Sequence, residues 1–189
     1  MALGSRKKYH QADPKPAGNA PADKAALKSF QNRAVELAEP ALAGLGLELV
    51  QAQCLMEGGR PVLRLFIDRL EQAGGEEEAS QVSLDDCAAA SRLMDDILEA
   101  DDREQPDGYV LELSSPGLDR PLLREADYFR FQGRLVKLKL RREKVNSSHK
   151  GRLTLTENGA LALETAEGLV DFTIDQVVSC RLSLDEIAF

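Results

Sequence analysis

The stretch of sequence that decides the fold is YVLELSSPGLDRPL, residues 109–122. Its first half alternates apolar and polar side chains with the period of two that a β-strand requires. Pro116 lacks a backbone donor, so the strand cannot continue past it. Residues 115–118 (SPGL) predict a type II turn, because Gly117 falls where φ must be positive. We therefore expect a buried strand that leads into a stiff joint between two domains, near residues 115–122.

Asp119 and Arg120 follow this turn and lie directly before Pro121. One interpretation is structural: Asp119 caps the turn or the following helix, and Arg120 ties the two domains together. The other interpretation is a recognition surface. The neighbouring prolines and glycine favour the structural interpretation, because such residues specify backbone shape.

The residues before the joint predict an N-terminal α/β domain over 24–116. Apolar spacing predicts one helix at 24–44, with a kink or break near Glu39 because Pro40 follows, and a second helix opening at Ser83. The apolar face expected for the second helix consists of Leu84, Cys87, Ala88, Ser91, Met94 and Leu98. Strands are expected at 47–56, at 61–68 across a turn at 57–60, and in the stretch quoted above. The order α-β-β-α-β predicts a three-stranded sheet covered by two helices.

The residues after the joint, 117–189, predict a small β-domain. A short helix at 124–132 precedes five strands, expected at 134–142, 151–157, 161–163, 169–174 and 177–182. Residues 146–149 are expected to form a hairpin loop, and Asn158-Gly159 predicts a type I′ turn. Five short antiparallel strands suggest a barrel that closes its own edges. The fold class is therefore α+β.

Two segments are expected to lack regular structure, and the cysteines indicate the cellular environment. Residues 1–23 are polar and without period, so we expect a disordered tail, and the acidic loop 70–82 is long enough to be mobile. The three cysteines are scattered and form no CxxC pair, which indicates a reducing, cytoplasmic environment. No apolar run has the length of a membrane span, and no secretory signal is expected.

Catalytic and cofactor motifs are absent from the sequence. There is no GxSxG, GxGxxG or P-loop pattern, and His10 and His149 fall in a predicted tail and loop. The acid pairs Asp85-Asp86 and Asp95-Asp96 are poor metal sites, because adjacent helical residues point in different directions. We expect a binding protein with no catalytic residue, no metal and no cofactor.

Charge is unevenly distributed along a chain of net charge −8. Thirteen acids and two bases lie between Leu70 and Gly108, whereas nine bases and one acid lie between Arg130 and Arg152. On the strand at 134–142, alternate cations project from one face about 7 Å apart, close to the phosphate spacing of a nucleic-acid strand. The candidate binding residues are Lys137, Lys139, Arg141, Arg142 and Arg152, and Lys144 and Lys150 extend the patch. An ordinary solvated strand face is the alternative.

Four stretches together resemble the RimP family of ribosome maturation factors. The joint resembles the family's signature, in which Ser115, Pro116, Gly117, Asp119 and Arg120 match position by position. Residues 45–68 resemble its first hairpin, 82–98 its second helix, and 130–140 the start of its C-terminal domain. The resemblance covers about residues 25–187 and departs from the family's pattern in the loop 70–82 and at residues 146–149.

The resemblance implies an N-terminal α/β domain followed by an Sm-like (SH3-like) barrel. It also implies a non-catalytic factor that binds free small (30S) ribosomal subunits during late assembly, near the decoding region. The expected partners are 16S rRNA for the basic strand and a basic ribosomal protein for the acidic domain, with the factor acting as a monomer in the cytoplasm. Two other classes stay open: an Sm-like RNA-binding regulator not dedicated to the ribosome, and an enzyme with an unrecognised site.

Overall fold

The computed structural model describes residues 23–70, 82–142, 145–156 and 158–183. The chain divides into two compact units between Ser115 and Pro116. The first unit contains α1 (Lys24–Ala43), β1 (Leu47–Glu57), β2 (Arg60–Arg69), α2 (Leu84–Ala100) and β3 (Val110–Ser114). The second contains α3 (Glu125–Arg130), β4 (Leu135–Arg142), β5 (Val145–Leu155), β6 (Leu161–Thr165), β7 (Gly168–Asp171), a 3-10 turn (Ile174–Gln176) and β8 (Val177–Leu182).

The sheet of the first unit has the order β1-β2-β3. β1 and β2 form an antiparallel hairpin whose turn is made by Gly58 and Gly59, both with positive φ, as a type I′ turn requires. β3 pairs parallel to β2, and α2 supplies the crossover that a parallel pair needs. One apolar cluster contains the inward residues of β1 and β2 together with residues of α1 and α2. The predicted α-β-β-α-β arrangement is therefore confirmed.

Three local expectations for this unit are wrong. The break expected near Glu39 is wrong: α1 continues through Pro40 to Ala43, because Ala38 and Leu42 are fully buried and packing holds the last turn. Leu84 is 67 % exposed, since it opens α2 at the edge of the core. β3 is half-buried rather than buried, since its ends are exposed and its three central residues are only partly covered.

The second unit is a five-stranded antiparallel sheet with the order β7-β6-β5-β4-β8. Its core combines alternate residues of all five strands with Leu122, Tyr128 and Phe131 from the segment before β4. The five strands are confirmed. The closed barrel is wrong within the described residues, because β7 and β8 are the two ends of the order and do not pair with each other.

Two predicted connections in this unit also differ. Residues 146–149 belong to β5, where they pair with Leu138 to Arg141 of β4. Their polar side chains carry no apolar alternation, so only the partner strand defines them as β. The connection between β5 and β6 is longer than a two-residue turn, since the Thr156 N–H donates to the Ala160 carbonyl (2.8 Å).

Candidate nucleic-acid interface

β4 presents its predicted cations on one face. Val136, Leu138 and Leu140 are fully buried, and the residues that alternate with them, Lys137, Lys139 and Arg141, are exposed. This arrangement follows from the strict alternation of the strand. The structure thus brings three of the five candidate residues onto one surface.

The neighbouring strands add cations to this surface. Residues directly opposite each other in an antiparallel pair place their side chains on the same face of the sheet. Lys137 lies opposite Lys150 of β5 and opposite Arg181 of β8, so three cations form one row across three strands. The next row consists of Ser148, Lys139 and Ser179. We call the surface formed by Lys137, Lys139, Arg141, Lys150 and Arg181 the basic face.

Arg181 is the member of the basic face that the sequence reasoning missed. The alternation in β8, where Cys180 is buried and Arg181 is exposed, could have indicated its direction. Its position beside Lys137 depends on the pairing of β8 with β4, which the sequence pattern does not define.

The other two candidate arginines lie apart from the basic face. Arg152 is one row beyond it, opposite Leu135 and Glu164, and its Nη1 donates to the Gly133 carbonyl (3.2 Å). Arg142 follows Arg141 on the strand and therefore points to the other side, where its Nη2 donates to the Asp171 carbonyl. Lys144 lies outside the described residues.

A cleft of about 610 Å³ lies beside the end of β4. Arg141 and Arg142 line it together with Asp171, Phe172 and Asp175. His149 lies on β5 rather than in the predicted loop, and its Nε2 is 2.9 Å from the Ser147 hydroxyl. In the described parts of the chain, no group of His, Cys, Asp or Glu side chains is arranged to hold a metal ion.

The signature residues Asp119 and Arg120 have different surroundings. Arg120 is buried within the second unit, with Nη2 3.2 Å from Asp127 Oδ1 and the guanidinium 4.9 Å from the Phe131 ring centre. Asp127 Oδ2 also accepts from the N–H groups of Leu123 and Arg124, so Asp127 caps α3 rather than Asp119. These contacts of Arg120 stabilise the start of the second unit.

Asp119 lies at the surface and contacts the basic face. The Nη1 of Arg181 donates to the Asp119 carbonyl (3.2 Å) and lies 3.5 Å from Asp119 Oδ2. The signature is therefore linked directly to β8, which the sequence did not predict.

Some acids of the first unit are held in ion pairs, and others are exposed. Asp86 and Asp101 are held in ion pairs with Arg69 and Arg33. Exposed acids continue along α2 and into the loop before β3, and we call them the acidic segment: Asp95, Asp96, Glu99, Asp102, Glu104 and Asp107. Glu99 lies in the last turn of α2, where an acid opposes the helix dipole and does not stabilise the helix.

Arg33, on α1, binds the chain that follows α2 through an ion pair and a hydrogen bond. It is 8 % exposed, its Nε lies 2.9 Å from Asp101 Oδ2, and its Nη1 donates to the Glu104 carbonyl (2.9 Å). Hydrogen bonds from Arg103, followed by the charges of Arg103 and Arg33, hold the pKa of Asp101 below its usual value. Burial, and then the charges of Asp95 and Glu99, raise the pKa of Tyr109.

The first unit matches a known family. Residues 37–119 match the family model described as the RimP N-terminal domain. The chain therefore contains a RimP N-terminal domain. The matched region begins within α1, contains the whole sheet of the first unit and ends at Asp119, so the resemblance seen in the sequence is confirmed there.

Among the residues that the structure describes, no helix has the combination of length and apolar character needed to cross a membrane.

Proposed function

We propose that this protein assists maturation of the small (30S) ribosomal subunit without catalysis, by binding free small subunits during late assembly in the cytoplasm. The match of residues 37–119 to the RimP N-terminal domain carries this proposal. The protein acts as a monomer, and each unit contributes one charged surface.

The basic face contacts 16S rRNA. Its cations repeat about 7 Å apart along β4 and about 5 Å apart across the strands, so several phosphates can be contacted together. The residues of the face are cations and serines, without an aromatic side chain on which a base could stack. Contact is therefore made to the phosphate backbone and depends strongly on salt.

The acidic segment contacts a basic ribosomal protein near the decoding region. Its exposed carboxylates lie on a rigid helix and on a loop that Arg33 anchors. Charge complementarity of this kind increases the rate and specificity of association.

The two compact units act as separate domains, 24–116 and 117–189, with a linker near residues 115–122. Each has its own apolar cluster. The single cluster that joins all five strands of the second unit supports an Sm-like, SH3-like arrangement. Limited proteolysis should cut at residues 115–118, the part of the linker before the segment hydrogen-bonded to β8, and release two fragments that keep their β circular dichroism. Cleavage first inside either sheet would contradict this division.

Co-sedimentation tests the function. The full chain should pellet with purified small subunits and far less with assembled ribosomes. Equal binding to both would contradict a role in maturation, and equal binding to unrelated RNA would favour a general RNA-binding regulator.

Charge reversal tests the RNA contact. Changing Lys137, Lys139 and Arg141 together to Glu should abolish most subunit binding and reduce the slope of log K against log salt by about 2 to 3. The matched control reverses Lys24, Lys28 and Arg92, three exposed cations of the first unit, and should bind nearly as the wild type does. Equal losses in both variants would indicate a net-charge effect rather than a contact.

A further inference from the structure

Arg181 and Asp119 join two features that the proposed function treats separately. Arg181 ends the row of three cations on the basic face, and Asp119 belongs to the signature turn. The carbonyl of Asp119 accepts from Nη1 of Arg181 at 3.2 Å, and its carboxylate lies 3.5 Å from the same nitrogen. The guanidinium is therefore held at two points.

These two contacts differ in how easily a ligand could replace them. The carbonyl directly precedes a backbone segment that is hydrogen-bonded to β8, because the Arg120 carbonyl accepts from Leu182 N–H and Leu122 N–H donates to the Cys180 carbonyl. The carboxylate is 75 % exposed and the Arg181 side chain 48 % exposed, so their attraction is weakened by water and salt. A ligand can displace the carboxylate while the carbonyl keeps Arg181 in position.

The row of cations explains what kind of ligand would do so. Lys150, Lys137 and Arg181 are directly opposite one another on adjacent strands, so one anion above the row can contact more than one of these cations. A guanidinium binds a phosphate through two parallel hydrogen bonds, which a carboxylate 3.5 Å from one nitrogen does not fully use.

We propose that Arg181, Lys137 and Lys150 form a seat for phosphate groups of RNA, and that the carboxylate of Asp119 occupies the Arg181 end of this seat until RNA displaces it. Asp119 is thus an internal competitor, and Arg181 is a binding residue. This inference rests on the proposed RNA contact and adds to it a site and a means of tuning its affinity.

The test measures binding of the full chain to free small subunits and to a fluorescently labelled RNA duplex. Asp119→Asn removes the competing charge and keeps the backbone carbonyl, so it should bind both probes about 2- to 5-fold more tightly. Glu167→Gln is the matched control, because it removes one exposed carboxylate at the turn between β6 and β7, away from the β8 edge of the sheet. It should change affinity less than Asp119→Asn does.

Arg181→Gln completes a double-mutant cycle. Arg181→Gln should weaken binding. Adding Asp119→Asn to this variant should not increase the affinity, because the guanidinium with which the Asp119 carboxylate competes for RNA is already absent. An equal gain in both backgrounds, or an equal gain from Glu167→Gln, would overturn the inference while the RNA contact stands. Failure of the wild type to bind either probe would overturn both. Thermal midpoints of all variants should agree with that of the wild type, since every substituted side chain is exposed.

Discussion

Nη2 of Arg120 lies 3.2 Å from Oδ1 of Asp127, and both side chains are buried. Asp127 also caps the two amides before α3, and the Arg120 guanidinium lies over the ring of Phe131. One ion pair therefore connects the signature, the short helix and the core of the second unit. Burial makes this pair costly to break, because the remaining charge would have no matching partner.

Arg120→Ala should lower the free energy of unfolding of the second unit by about 3 kcal/mol. Arg120→Lys should recover only part of this, because an ammonium cannot reproduce the planar contact with Phe131 and Asp127. Urea unfolding followed by circular dichroism measures the loss. Arg141→Ala, at an exposed position of β4, is the control; a similar loss there would contradict a special role for the buried pair.

Gly117→Val should destabilise the protein by about 1–2 kcal/mol, because Gly117 has φ +75° and a β-branched residue rarely adopts that conformation. The cost is conformational rather than steric, since an added Cβ would meet only Asp119 Oδ1, at 3.8 Å. Gly117→Asn should retain most of the stability, because Asn tolerates the left-handed region. Equal thermal midpoints for the Val and Asn variants would count against this explanation.

Gly151→Ala should lower the free energy of unfolding by about 3 kcal/mol, which is the upper end of the range for overpacking. An added Cβ would collide with the Glu164 carbonyl and lie 2.8 Å from Leu163 Cγ, and that carbonyl belongs to β6, the partner strand of β5. Gly44→Ala is the comparison, because its Cβ would lie 3.3 Å from one carbonyl and its φ of −62° suits any residue. A smaller loss at Gly151 than at Gly44 would show that β5 and β6 can separate without cost.

Lowering the pH should reduce the stability of the N-terminus of α2. The hydrogen bond from Ser83, followed by the Arg69 contact, holds the pKa of Asp86 below its usual value. A carboxyl whose pKa is lowered by folding stabilises above its unfolded pKa, about 3.9, and this contribution is lost as pH falls through the folded value. Asp86→Ala should therefore lower the free energy of unfolding by about 1 kcal/mol at neutral pH and by much less near pH 3.

Asp85→Ala provides the comparison, because Asp85 lies in the same first turn of α2 but is exposed. Urea unfolding of both variants at several pH values measures the difference. If the difference in the free energy of unfolding between the two variants stayed constant down to about pH 3, the carboxylate charge of Asp86 would not contribute to stability.

Local features of this fold follow from short stretches of sequence. Strand alternation at Lys137 and Leu138, the cap at Ser83, and the positive φ of Gly117 each depend on a residue and its near neighbours, and all were predictable. The resemblance to RimP likewise rests on contiguous stretches, so the amino-acid sequence alone is enough to recognise the RimP N-terminal domain.

Only tertiary structure decided which distant residues meet. The pairing of β8 with β4 brings Arg181 beside Lys137, leaves β7 and β8 as the ends of the sheet, and so excludes the closed barrel among the described residues. Packing of its buried residues also keeps α1 helical beyond Pro40. Residues 146–149 form a strand because they pair with β4. The physical reason is that alternation reports which face a residue occupies, whereas register and strand order depend on contacts between segments far apart in the chain.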